Sequence, residues 1–212
     1  MSKTILFDLD GTLTDSGEGI INCATLALQH FGLPIPSRET MRVFVGPPLH
    51  KTLVEFGVPE DKTEEAIAIF RSRYTTVGIL ENTPYPGVAK MLETLHRQGH
   101  QLLVATSKPE EMASRVLDRF GLSQYFSVIC GATLDSSRVS KEDVIAYLLS
   151  LCTPEKPPVM VGDTHYDVEG AAAHGIPTIG VAWGYGKAED MEKAGAIAIA
   201  HTMDELINLL NT

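Results

Sequence analysis

Two pairs of carboxylates in this chain stand where a buried strand should end. The first is Asp8 and Asp10, in the run Ile5-Leu6-Phe7-Asp8-Leu9-Asp10-Gly11-Thr12. The second is Asp163 and Asp167, in Val159-Met160-Val161-Gly162-Asp163-Thr164-His165-Tyr166-Asp167. Residues two apart in an extended chain point the same way, so Asp8 and Asp10 can face one pocket, and Gly11 permits a sharp turn around an anion. Asp167, four residues past Asp163, can share a face with it as a helix begins. Isolated acids of this kind are usually solvated or cap helices. Acids that follow an apolar run and precede Gly-Thr are costly to gather without a compensating cation, and a bound Mg²⁺ would be one. Two such junctions in one sheet favour a metal site with oxygen ligands more than either does alone.

Two further stations suit a phosphate. Leu102-Leu103-Val104-Ala105 runs into Thr106-Ser107-Lys108, and hydroxyls at a strand end can donate to phosphoryl oxygens. Either hydroxyl can instead cap the helix expected to begin near Pro109; Thr106 is the better candidate for substrate contact, and both roles stay open for Ser107. Lys141, in Ser140-Lys141-Glu142-Asp143, opens a helix, where a cation opposes the helix dipole but is available to an anion. Alone it reads as a solvated side chain; the other stations give it a purpose.

The elements that must position these residues follow from the hydrophobic pattern. Short apolar runs at Thr4–Phe7, Leu102–Ala105, Ser127–Ile129, Val159–Val161, Thr178–Val181 and Ile197–Ala200 alternate with stretches of helical period. That alternation predicts an α/β fold with an open, mainly parallel sheet. Val88–Arg97 places Val88, Met91, Leu92 and Leu95 on one face and stops at Gly99. From about Gly17 to Asn82 no strand-like run occurs. Helical patterns at Ile20, Ile21, Ala24, Leu28 and Phe31, and again at Glu64–Tyr74, fill the interval, and Pro84-Tyr85-Pro86-Gly87 closes it. The reading is a core made of residues 1–16 and 82–212 with a small helical domain, 17–81, inserted after the first strand. Asp204–Leu210 reads as a closing amphipathic helix.

Composition narrows the partners. With 212 residues, 44% of them apolar and 21% charged, the chain is that of a folded globular protein and not of a disordered or fibrous one. A net charge of −10 and the absence of a Lys/Arg stripe argue against nucleic acid. A small phosphorylated metabolite needs only a metal ion and one or two local cations. Three cysteines, Cys23, Cys130 and Cys152, form no CxxC pair and no disulfide framework, and no signal peptide or 18-residue apolar span is present, so a cytoplasmic protein with no membrane partner is expected.

Taken in order, DLDGT at 8–12, the hydroxyl of VATSK at 104–108, Lys141 and GDTHYD at 162–167 resemble the motifs of the haloacid dehalogenase superfamily of phosphohydrolases. The likeness spans nearly the whole chain, and the helical insertion is similar to the cap of the phosphoglycolate-phosphatase-like branch. The resemblance implies a Rossmann-like parallel sheet with helices on both faces and an all-α cap. It implies that Asp8 attacks phosphorus and forms an aspartyl-phosphate that water then hydrolyses, with Asp10 as acid and base. It implies Mg²⁺ as cofactor, held by the Asp8 carboxylate, the Asp10 backbone carbonyl and Asp163, with Asp167 supporting directly or through water. Thr106, Ser107 and Lys141 would bind the phosphate. The cap would carry substrate choice, with Arg42, Lys51, Arg71, Arg73 and the Gly46-Pro47-Pro48 turn as candidates, though solvated basic residues look the same in sequence.

An acid at Asp10 favours phosphate-ester chemistry over the dehalogenating and phosphonate-cleaving members, while a sugar-phosphate mutase stays open. A receiver-like signalling module is a poorer fit, since it needs no helical insertion and would place its acceptor in mid-chain. The expected substrate is a phosphoglycolate-like acid or a nucleoside monophosphate. His96 and His100 have metal-pair spacing, but Gly99 between them should destroy the common face, which leaves two surface histidines. His165 has no fixed role. Trp183-Gly184-Tyr185-Gly186 can flank the site or be a structural turn.

Overall fold

A computed structural model describes residues 2–154 and 156–212. In chain order its first elements are β1 (Thr4–Phe7), β2 (Thr14–Asp15), α1 (Gly17–His30), α2 (Arg38–Met41), α3 (Leu49–Glu55), α4 (Thr63–Tyr74) and β3 (Thr83–Pro84). There follow α5 (Val88–Arg97), β4 (Gln101–Pro109), α6 (Glu110–Arg119), β5 (Val128–Ala132), α7 (Lys141–Leu151) and β6 (Pro158–Gly162). The chain ends with α8 (His165–Ala172), β7 (Thr178–Val181), α9 (Ala188–Ala194), β8 (Ala198–Ala200) and α10 (Met203–Asn211).

Six strands form one sheet in the order β5-β4-β1-β6-β7-β8, and every ladder in it is parallel. This is the α/β architecture that the alternation of apolar runs and helical periods predicts. Ile5, Leu6 and Phe7 are fully buried, as a central parallel strand covered on both faces requires. Leu6 lies in register with Leu103 and Met160, and these three share a core layer with Val144, Ile145 and Leu148 of α7 and Ala171 of α8. Phe7 points to the opposite layer, where its ring meets Phe126 edge-on at 6.2 Å.

From β1 the chain goes first to β4 and β5 on one side, then to β6, β7 and β8 on the other. The reversal falls beside β1, and in open parallel sheets the crevice outside the carboxyl ends at such a point is where ligands bind.

The chain divides into two compact units. One holds the six-stranded sheet and comprises the residues up to Thr14 and from Pro84 onward; the other is Asp15–Thr83. In the second unit α1 buries Ile20, Ile21, Ala24, Ala27 and Leu28, and α4 buries Ala66, Ile67, Phe70 and Tyr74. Rings pair within it: Phe44 with Phe56 at 4.7 Å and Phe70 stacked on Tyr74 at 5.6 Å. Its shorter helices, α2 and α3, are too brief to show a period in sequence.

Three local expectations need correction. β4 does not stop at Ala105 but continues through Thr106, Ser107 and Lys108 to Pro109. Ile197 is 63% exposed and lies outside β8. His100 is buried, not on the surface: Gly99, at φ 78, turns the chain inward after α5, and His100 Nδ1 accepts the Lys3 backbone N–H at 3.1 Å. His96 is exposed on α5, so the two do not form a metal pair. No helix among the described residues is long and apolar enough to cross a membrane.

Candidate active site

β1 hands its buried run to a turn. Asp8 extends the ladder, its N–H donating to the Val161 carbonyl at 2.9 Å, and the chain then reverses at Gly11, which has φ 89 and donates to the Thr14 carbonyl at 2.8 Å. A Cβ at Gly11 would overlap the Asp163 carboxylate, so only glycine lets this turn lie against the end of β6.

Lys141 joins the two acidic stations. Its ammonium stands 2.8 Å from Asp8 Oδ1 and 2.8 Å from Asp167 Oδ1, and it donates to the Ala105 carbonyl at 2.9 Å. Ser140 precedes it as the cap of α7, its hydroxyl accepting the Asp143 N–H at 3.0 Å, which fixes where the lysine leaves the backbone. Asp167 turns its other oxygen to Thr164, taking the backbone N–H at 3.0 Å and the hydroxyl at 2.9 Å. Asp163 accepts from the Thr12 hydroxyl at 3.2 Å and from the Tyr185 N–H at 2.8 Å. Asp10 pairs with Lys108, Nζ to Oδ2 at 2.6 Å, and Thr106 Oγ accepts the Lys108 N–H at 3.2 Å.

Burial sets the electrostatics. It pushes the Asp8 carboxyl up to about 6; Lys141 opposes the rise, Asp167 adds to it, and hydrogen bonds from Lys141 and Thr106 oppose it again. Burial also drives Asp163 well above the ordinary carboxylate value, with the charges of Asp167 and Asp8 pushing the same way. For Lys141 burial favours the neutral amine, but Asp167 and Asp8 outweigh it and hold the ammonium above its ordinary value.

Asp8, Asp163 and Asp167 each offer a carboxylate oxygen, and these atoms lie within 4.8 Å of one another. With Asp10 included, four buried carboxylates face two ammonium groups, those of Lys108 and Lys141, so the fully ionised site has two more negative than positive charges. That surplus and the all-oxygen donor set fit a hard divalent cation such as Mg²⁺.

Of the residues singled out in the sequence, Asp8, Asp10, Thr106, Lys141, Asp163 and Asp167 are all buried and gather at the carboxyl ends of β1, β4 and β6 and the start of α7. Ser107 is half-buried on β4. Neither Thr106 nor Ser107 caps α6, because β4 runs on to Pro109 and that residue precedes the helix. Arg73, a candidate for substrate selection, is held instead by Glu81 within the helical unit, its two terminal nitrogens donating at 2.7 and 2.8 Å.

The sequence assigns no role to Lys108 or to the Thr12 hydroxyl and leaves Trp183-Gly184-Tyr185-Gly186 as a flank of the site or a structural turn; the Trp183 and Tyr185 N–H groups are donors at the site. For Lys108 a signal was present: it lies two residues past Thr106, and in a strand that continues the two share a face. Nothing local marks the other contacts, which join residues far apart in the chain.

Comparison with known proteins places these features in a wider set. The sequence model of haloacid dehalogenase-like hydrolases matches residues 5–181. The chain is 46% identical over 207 residues to the tyrosine-protein kinase PtkA of Mycobacterium tuberculosis, covering 96% of this chain and 71% of that one. It is 38% identical over 189 residues to a 5'-nucleotidase of Pseudomonas aeruginosa, covering 88% and 86%. Among solved structures, a predicted phosphatase from Clostridium acetobutylicum superposes with a TM-score of 0.95 at 37% identity, over 100% of this chain and 99% of that one.

Proposed function

The chain belongs to the haloacid dehalogenase-like hydrolase family, and we propose that it hydrolyses a small phosphate monoester, with Asp8 as the nucleophile. One observation carries this reading: the buried Lys141 ammonium lies 2.8 Å from both Asp8 and Asp167, at the edge of a carboxylate cluster with surplus negative charge. The enzyme is a phosphoric monoester hydrolase, and its likeness to a 5'-nucleotidase supports a nucleoside monophosphate as substrate, with a phosphoglycolate-like acid as the competing small molecule.

The chemistry divides among the chain's own groups. An Asp8 carboxylate oxygen attacks phosphorus, the bond to the departing oxygen breaks, and Asp10 gives that oxygen its proton. Asp10 then takes a proton from a water molecule whose oxygen attacks the same phosphorus, which frees the Asp8 carboxylate and releases inorganic phosphate. Thr106, Ser107 and Lys141 hold the phosphoryl oxygens; Lys141 also keeps Asp8 aimed along β1. Asp8, the Asp10 backbone carbonyl, Asp163 and Asp167 would hold Mg²⁺, which when bound offsets charge on the phosphoryl oxygens. The inserted helical unit, residues 15–83, is taken as the substrate-selecting cap.

Asp8→Asn tests the nucleophile. The variant should melt like the wild type yet release no phosphate from p-nitrophenyl phosphate; substantial residual turnover removes Asp8 from the role. EDTA should stop the wild-type reaction, and unaffected rates under EDTA defeat the metal assignment.

A second reading has support of its own, the 46% identity to a protein named a tyrosine-protein kinase. In that reading the phosphoryl group passes to a tyrosine hydroxyl instead of to water. Incubating the protein with a nucleoside triphosphate and a tyrosine peptide, then measuring phosphotyrosine against free phosphate, separates the two. A mutase would give isomerised sugar phosphate with no free phosphate.

A further inference from the structure

The loop that follows β7, Trp183-Gly184-Tyr185-Gly186, completes a run of hydrogen bonds around Asp163. The Trp183 indole N–H donates to the Thr12 carbonyl at 3.0 Å. The Thr12 hydroxyl donates to Asp163 Oδ1 at 3.2 Å, and the Tyr185 backbone N–H donates to Asp163 Oδ2 at 2.8 Å. Gly184 sits between the two donors of the loop, and a Cβ there would overlap the Asp163 carboxylate; one at Gly186 would overlap the Asp163 backbone carbonyl. The loop is therefore laid against both the side chain and the main chain of this acid. Both oxygens of Asp163 accept from donors at opposite ends of the sequence, and Asp163 also offers a carboxylate oxygen within 4.8 Å of those of Asp8 and Asp167.

We propose that Trp183 is a positioning residue for the metal site: its indole N–H fixes the Thr12 backbone, hence the Thr12 hydroxyl, which with the Tyr185 N–H sets the direction of the Asp163 carboxylate and so the affinity for Mg²⁺. The proposal rests on the reading of Asp8, Asp163 and Asp167 as the Mg²⁺ ligands. A tryptophan can also be kept for its apolar ring alone. The two roles separate in Trp183→Phe, which retains most of the ring and removes the donor, leaving the Thr12 carbonyl without its indole partner. Donors that orient a ligating group change metal affinity by about 10- to 100-fold when removed. A donor that acts through Thr12 belongs at the lower end of that range.

The test is calorimetric titration of Mg²⁺ into EDTA-treated, desalted protein, using wild type, Trp183→Phe, Thr12→Val and the double variant, with thermal melting of each metal-free protein. Trp183→Phe should weaken the Kd for Mg²⁺ by about 10-fold with a melting temperature close to wild type. Phosphate release in that variant should return towards the wild-type rate at saturating Mg²⁺. Because Trp183 acts through Thr12, the double variant should bind Mg²⁺ no more weakly than Thr12→Val does. An unchanged Kd in Trp183→Phe overturns the proposal, as do losses that add in the double variant or turnover that saturating Mg²⁺ fails to restore. If Trp183→Phe does not fold, the proposal also falls, because the indole would then serve the fold as a whole and not the direction of Asp163. A wild-type chain that takes up no Mg²⁺ in the same titration sinks the metal reading itself and is thereby distinguished from failure of Trp183 alone.

Discussion

At the scale of single residues, two lysines hold three of the four acids. Lys141 is bonded to Asp8 and Asp167, while Lys108 is bonded to Asp10. A buried pair of this kind is weak evidence for stability as such, yet removing one partner strands the other and costs roughly 3–5 kcal/mol. Lys108→Met keeps the apolar stem and removes the charge, so Asp10 loses the group that holds it. General acid–base catalysis is worth about 10²- to 10⁴-fold, and a misplaced Asp10 should forfeit on the order of 10²-fold of it. The loss should be greater for an alkyl phosphate than for p-nitrophenyl phosphate, because only the poor leaving group needs its proton; equal losses would detach Lys108 from Asp10's proposed role. The acids at 8, 10, 163 and 167 were legible because each follows an apolar run at short range. Lys108 was marked only by its two-residue spacing from Thr106: the apolar run ends at Ala105, and the strand's continuation to Pro109, which puts the two on one face, depends on pairing with Gly131 and Ala132 of β5, which no local pattern encodes.

At the scale of elements, strand cores were legible and their ends were not. β1 and β7 fall where the apolar runs predict, at Thr4–Phe7 and Thr178–Val181, because a strand buried on both faces is apolar through most of its length. β4, β5, β6 and β8 differ at their ends: β4 keeps Thr106 to Pro109, β5 drops Ser127 and gains Cys130 to Ala132, β6 gains Pro158 and Gly162, and β8 drops Ile197, because pairing with the neighbouring strand decides where each ladder stops. In the helical unit, hydrophobic period located α1 and α4 but not the polar network beside them. Glu81 accepts two bonds from Arg73 and one from Asn22 at 3.2 Å, and Arg38 reaches Asn22 in turn. The Arg73 bonds, more than any other influence, hold the Glu81 carboxyl below its ordinary value of 4.5. The folded state therefore binds that proton less readily than the unfolded chain. Its contribution is complete above 4.5 and is lost as pH falls through the lowered folded value. Urea unfolding measured between about pH 3 and 6 should show a steeper acid loss in the wild type than in Glu81→Gln; parallel curves would mean that this network does not support the unit.

At the scale of the whole molecule, the chain leaves the sheet-bearing unit after Thr14 and returns at Pro84, and the Tyr85 N–H donates to the Leu13 carbonyl at 3.1 Å. The two ends of the insertion are thus a hydrogen bond apart on the sheet-bearing unit, which can be closed by a short turn. Replacing residues 15–83 with a brief Gly/Ser linker should leave a cooperatively melting protein that still binds Mg²⁺ by calorimetry; a chain without a melting transition would show that the insertion is needed for folding. The insertion was visible in the sequence as a long interval without strands, since a gap of that size cannot be a loop. What composition could not reveal is where the rare residues fall. Trp183 is the sole tryptophan in the chain, and it touches the turn that carries Asp8. All tryptophan light from this protein therefore originates beside one loop, with its N–H lodged on a backbone carbonyl. Adding Mg²⁺ or inorganic phosphate to the unlabelled protein should change the colour or brightness of that emission. A spectrum unmoved at saturating ligand would mean that occupancy is not felt at Thr12; a shift would make the molecule its own optical gauge of whether the turn after Asp8 is loaded.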